Sequence, residues 1–161
     1  MLAHDRFIDT HFAKDTAMYQ RILVPTDGSD ITMKALETAI GLAKVFGAEV
    51  YTLAVKDPYP YSAITEMQPT PPQAFYDIQE RIATQHVLAV KTRCAEAGVS
   101  AHAHTVEAVH PYEAIVDHAK LQGCDLIVMA SHGRRGMQAL LLGSETQKVL
   151  THSRIPVLVV R

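Results

Sequence analysis

The chain has 161 residues, 48% hydrophobic and 20% charged, which suits one globular domain with a sizeable core and excludes a disordered chain. Its 15 Lys and Arg against 17 Asp and Glu leave a net charge of −2 and no Trp, so a basic or stacking surface for nucleic acid is not expected. Only Cys94 and Cys124 are present, without paired spacing. This argues against a disulfide framework or zinc site and fits a reducing cytoplasm, and no apolar run nears the roughly 20 residues that cross a bilayer.

Residues 1–17 are broken by Asp5, Arg6, Asp9, Lys14 and Asp15, unlike the apolar stretch of a secretory signal. They are expected to be a poorly ordered, dispensable extension, with a single domain over 18–161. A first strand, Arg21-Ile22-Leu23-Val24-Pro25, ends in the turn chemistry of Thr26-Asp27-Gly28-Ser29-Asp30. A helix is expected from Ile31 to Phe46, where Ala35, Leu36, Ala39, Ile40 and Ala43 recur at helical spacing before Gly47. Val50 to Val55 is a second strand. Lys56 to Gln73 holds five of the eight prolines and reads as a long, partly extended loop.

The spacing then predicts a helix over Ala74–Ala97, with a stripe of Ala83, Val87, Val90, Cys94 and Ala97. Cys94 on that stripe is a small core residue. Ala101 to Val106 is a third strand, and Pro111 to Lys120 a helix with proline in its first turn. Asp125 to Ala130 is a fourth strand, Ser144 to His152 a last helix, and Ile155 to Val160 a final strand. This alternation implies an open, parallel five-stranded sheet covered by helices on both faces. Ligands of such sheets bind at the carboxyl ends of the strands, beside the topological switch point. The tips of strands one and four are then neighbours across that crevice.

The stretch Leu126 to Gly136, followed by Leu140 to Gln147, carries the chemistry. A buried strand ends in a glycine-bearing turn with Arg134 and Arg135, and Gly143-Ser144 opens a helix. Permissive backbone, cations and a helix N-terminus are the parts of a phosphate cradle. It is not a Walker loop, which needs Lys after its second glycine. The competing reading is a plain turn followed by a capping box, since Ser144-Glu145-Thr146-Gln147 satisfies that template. Asp27 is either a turn former or, at the switch point, an acceptor for ribose hydroxyls or a neighbour of a phosphate-bound metal. His132 is either a charge sensor inside the cradle or a solvated turn residue. His102 and His104 share one strand face, but no carboxylate or Cys at ligand spacing supports a metal site there. No Ser, Cys or His sits in a recognisable nucleophile setting, so no catalytic residue is assigned. The final strand is apolar on both faces. At a sheet edge it would pair with its own copy across a two-fold axis to give a homodimer, the alternative being a covered strand of a monomer.

Arg21 to Ser29, Asp125 to Gly133, Leu141-Leu142-Gly143-Ser144 and Pro156 to Val160, in this order, resemble the universal stress protein family over about Tyr19 to Arg161. The resemblance implies a Rossmann-like α/β/α sandwich of strand order 3-2-1-4-5, acting in the cytoplasm as a dimeric stress-response switch that binds ATP with Mg²⁺. ATP-binding members carry G-x2-G-x9-G-[S/T]. Gly133, Gly143 and Ser144 match the later places, and Ala130 stands at the first, where a backbone requiring positive φ would penalise it. The resemblance implies that Asp27 and Val55 contact the adenosine, Val55 through its backbone. Gly133, Gly143, Ser144 and Glu145 would hold the phosphates, with Pro25, Thr26, Met129, Ala130 and Thr146 completing the site. Arg134 is added as a mobile cation over the terminal phosphate. Two other functions stand beside this one: a nucleotide-independent dimeric interaction protein in which Ala130 has abolished binding, and a slow ATPase. An adenylating ligase would need a Ser-Gly-Gly loop where Pro25-Thr26-Asp27-Gly28 stands.

Overall fold

A computed structural model describes residues 18–60, 73–133 and 142–161. The N-terminal extension, most of the proline-rich loop and the Arg134-Arg135-Gly136 turn lie outside the described residues. The elements run β1 (Arg21–Pro25), α1 (Asp30–Phe46), β2 (Glu49–Lys56), α2 (Gln73–Glu96), β3 (Ala101–Glu107), α3 (Pro111–Leu121), β4 (Leu126–Ala130), α4 (Ser144–His152) and β5 (Val157–Val160). All strand pairs are parallel and the order is β3-β2-β1-β4-β5, the expected Rossmann-like arrangement.

The continuous apolar runs of β1 and β4 follow from burial on both faces. Ile22, Val24, Leu126, Val128 and Ala130 pack with Ala35, Leu36, Ala39 and Ile40 of α1 and with Val90 and Cys94 of α2. Leu23, Ile127 and Met129 face the other way, onto Ile115, Val116 and Ala119 of α3 and Val149 of α4. Each fully buried Leu, Ile or Val contributes about 1.5–3 kcal/mol relative to exposure, so the period-two alternation of these strands fixes which layer each residue joins.

Most boundaries fall on the expected residue or one away, β5 starts two later, and the starts of β4 and β5 move for local reasons. β4 begins at Leu126 because the Asp125 carboxylate accepts from the backbone N–H of Gln20 (2.8 Å) and Arg21 (3.1 Å), tying the start of β1 to the start of β4. β5 begins at Val157: Pro156 has no N–H, and Ser153 Oγ closes a turn by accepting from Ile155 N–H (3.0 Å) and donating to its carbonyl (2.7 Å). The capping box at α4 is not formed. Gly143 is the N-cap, Ser144 is the first helical residue, and Gln147 bonds back through its backbone to Gly143 and through its side chain to Leu142.

Candidate functional site

Parallel strand polarity brings the tips of β1, β2 and β4 to one end of the sheet. Thr26 N–H donates to the Leu53 carbonyl (2.9 Å), which continues the β1–β2 ladder into the turn. The Thr26 hydroxyl accepts from Gly28 N–H (3.2 Å), and Asp27 Oδ1 accepts from both Ser29 N–H (3.0 Å) and Ser29 Oγ (2.6 Å). That Asx turn orients the carboxylate. Its other oxygen lies against Gly133: a Cβ placed there would sit 2.6 Å from Asp27 Oδ2. The β1 turn and the β4 turn therefore meet across the switch point, and a side chain at Gly133 would require the Asp27 carboxylate to shift.

The β4 side is held from below. Ser131 N–H donates to the Val160 carbonyl (2.7 Å), Gly143 N–H to the Ser131 carbonyl (2.7 Å), and the buried Thr146 hydroxyl to the Ala130 carbonyl (3.0 Å). These bonds seat the N-terminus of α4 beside the β4 tip. The first intrahelical donor of α4 is Gln147, so the amides of Ser144, Glu145 and Thr146 face out of the helix end, where its dipole is positive. Because Ser144 is not the cap, its hydroxyl is not spent on one.

Pro25, Met129 and Ala130 are buried at the strand ends. Ala130 pairs in register with Val160, and no non-glycine residue among those described has positive φ, so alanine carries no backbone penalty at this position. Glu145 stands in the first turn of α4. Its carboxylate accepts from Tyr112 N–H at the start of α3 (2.8 Å) and pairs with Lys148 (2.9 Å), which leaves only its backbone amide toward the β4 tip. Arg134 lies outside the described residues. His132, next to Gly133, shares a hydrogen bond of 3.0 Å with Ser131 Oγ.

Val55 lines a small cavity of about 50 Å³ with Thr26, Asp27, Ala54, Lys56 and Asp57. Its far wall is α2, through Gln79, Ile82, Ala83 and His86. Sequence reasoning missed this wall, because it read α2 only for its buried stripe. Lys56 forms an ion pair with Glu80 of α2, and Thr105 donates to the same carboxylate (3.0 Å); these partners hold the Glu80 carboxyl below its ordinary range.

On the opposite face a larger groove of about 820 Å³ runs between β3 and α3, lined by Val106, Val109, Glu113, Asp117, His118 and Leu121 among others, and it contains none of the expected site residues. His102 stacks on Tyr51 (4.6 Å between centroids), while His104 meets His118 of α3 at 4.8 Å. No group of three or more metal-ligating side chains occurs among the described residues. Cys94 and Cys124 are both free and buried. No helix among the described residues is long and apolar enough to cross a membrane.

The family model for the universal stress protein family matches residues 18–161. The chain belongs to the universal stress protein family. Universal stress protein MJ0531 of Methanocaldococcus jannaschii is 34% identical over 148 residues, which cover 89% of this chain and 83% of that protein. The solved structure of MJ0577, from the same organism, is 31% identical with a TM-score of 0.74, covering 89% of this chain and 96% of its own. A universal stress protein of Archaeoglobus fulgidus, solved in complex with dAMP, shares the fold with a TM-score of 0.64 at 19% identity, over 89% of this chain and 99% of that one.

Proposed function

We propose that this universal stress protein is an adenine-nucleotide-binding switch of the cellular stress response, with ATP and Mg²⁺ as its ligand. One observation carries the reading: the Asp27 carboxylate lies directly against Gly133, which joins the β1 tip to the β4 turn beside the open N-terminus of α4. In this reading Asp27 accepts from the ribose hydroxyls and the Val55 backbone reads the adenine edge. The phosphates lie on the amides of Gly133, Gly143, Ser144, Glu145 and Thr146, with the Ser144 hydroxyl. The magnesium ion neutralises phosphate charge, since the amides and α4 dipole supply only partial positive charge. The dAMP complex of a protein of the same fold supports the ligand class. The regular strand backbone at Ala130 favours binding over the nucleotide-independent alternative, because the missing glycine costs nothing there.

A binder of this kind acts by preferring one conformational state, and the reducing cytoplasm suits its free thiols. Native mass spectrometry of freshly purified protein, with calorimetry in Mg-ATP, tests the assignment. Retained adenine nucleotide or a saturable heat is expected; no ligand, no heat and no thermal stabilisation would overturn it.

We also propose that two copies pair through Ile155–Val160. β5 is a sheet edge with Leu158 39% exposed and apolar side chains on both faces, and pairing would cover it. Sedimentation should show a dimer that Leu158→Lys converts to monomer. A monomeric wild type at micromolar concentration would refute it.

A further inference from the structure

Given the adenine-nucleotide reading on which this rests, we propose that His86 gates the nucleoside half of the site. The cavity between the tips of β1 and β2 measures about 50 Å³. Small-molecule pockets begin near roughly 300 Å³, so the space admits a few waters and falls well short of a nucleoside. Gln79, Ile82, Ala83 and His86 of α2 close this space from one side.

The His86 ring occupies the decisive place. Ala83, Val87 and Val90 are buried against the sheet and fix the rotation of α2, which sets His86 on the flank that faces the β1 turn. There the imidazole lies against Gly28, whose φ of +77° already favours glycine. A Cβ at Gly28 would clash with the ring edge at Cδ2 and Nε2, with Cε1 3.0 Å away. The Lys56–Glu80 pair and the Thr105–Glu80 hydrogen bond latch the same stretch of helix to β2 and β3. Two movements would make room: rotation of a half-buried imidazole about its own torsions, or withdrawal of a helix whose stripe is buried. The first leaves the buried stripe of α2 in place. His86 therefore moves first, and α2 adjusts after it.

A gate of this kind lowers apparent affinity by the fraction of molecules that are open, and it acts on adenosine and on ATP alike because the blocked volume is the nucleoside's. Calorimetric titration of the full chain with adenosine and with Mg-ATP, in wild type, His86→Ala and His86→Phe, tests it, with thermal melts confirming that each variant is folded. Shortening the side chain should tighten both ligands by a similar factor, roughly fivefold or more, and the bulkier phenyl ring should weaken both. Unchanged affinity in His86→Ala overturns the gate while leaving the nucleotide site standing. Weaker adenosine binding in His86→Ala also overturns it, since His86 would then be a ligand contact. If neither wild type nor variant binds either ligand, the adenine reading fails and the gate falls with it.

Discussion

Replacing Gly133 by Ala places a methyl group 2.6 Å from Asp27 Oδ2, whereas carbon–oxygen contacts settle near 3.3 Å or beyond. The carboxylate must withdraw by about 0.7 Å. It is not free to do so without loss, because Oδ1 holds Ser29 N–H at 3.0 Å and Ser29 Oγ at 2.6 Å. Losing one bond to a charged acceptor costs about 1.5–3 kcal/mol when buried, and the partial exposure of Asp27 brings the figure down, so a loss of about 1–2 kcal/mol is expected. For a chain of this length that lowers Tm by roughly 2–8 °C. The diagnostic measurement is a urea-denaturation cycle with Asp27→Ala. Once the carboxylate is gone, the added methyl meets nothing charged, and Gly133→Ala should cost under about 0.5 kcal/mol; the coupling energy should then be about 1 kcal/mol. Gly133 is not among the glycines with positive φ, so backbone strain does not confuse the comparison. Additive effects, or a Gly133→Ala variant as stable as wild type, would refute the contact between the two turns as a source of stability.

Other consequences can be checked directly. Ala130→Gly removes a buried methyl and loosens a strand, so it should destabilise the fold by about 1–2 kcal/mol without tightening Mg-ATP; a gain in affinity on calorimetry would revive the idea that Ala130 is a lesion. Burial, and then the neighbouring His104, holds the His118 imidazole below its ordinary range in the folded chain. The unfolded chain therefore takes up that proton first. The contribution is complete above about pH 6.5 and is lost as pH falls from there through the folded value. Urea melts between pH 5 and 8 should show a shallower acid decline in His118→Phe than in wild type, and equal slopes would rule His118 out. Burial pushes the Cys94 thiol up to about 11 and Cys124 up to about 12, so neither is a ready nucleophile. Alkylation at pH 8 should track unfolding in urea, and rapid labelling of the native protein would contradict this.

Most element boundaries were legible because they rest on local signals, whereas the strand order came from the family resemblance. Helical spacing before Gly47, Pro111 in a first turn and unbroken apolar strands each act within a few residues. The β1 and β4 tips were correctly expected to meet, since the strand order makes β1 and β4 adjacent parallel strands. What escaped the sequence lies in long-range contacts with no local pattern. Gly28 and His86 stand 58 positions apart, and His104 meets His118 only because α3 folds back over the β3 edge. The capping box failed for a different reason: its template was satisfied, but Gly143, anchored through its N–H to Ser131, took the cap one residue earlier. Glu145 shows the same limit, because nothing in Ser144-Glu145-Thr146 tells that its carboxylate will bond to another helix.

That bond has an electrostatic consequence for the proposed phosphate end of the site. α3 starts at Pro111, which has no amide hydrogen, so Tyr112 offers the first donor of the helix, and the His110 side chain does not cap it. Glu145 does so from α4, with Lys148 on its other oxygen. A carboxylate in the first turn of α4 would otherwise stand in the field of an arriving phosphate and repel it. Held on α3 and matched by a cation, the charge is diverted from the space where the anion would sit. If the proposed nucleotide binds there, the anion affinity of one helix end would depend on a second helix, with α3 as its electrostatic shield.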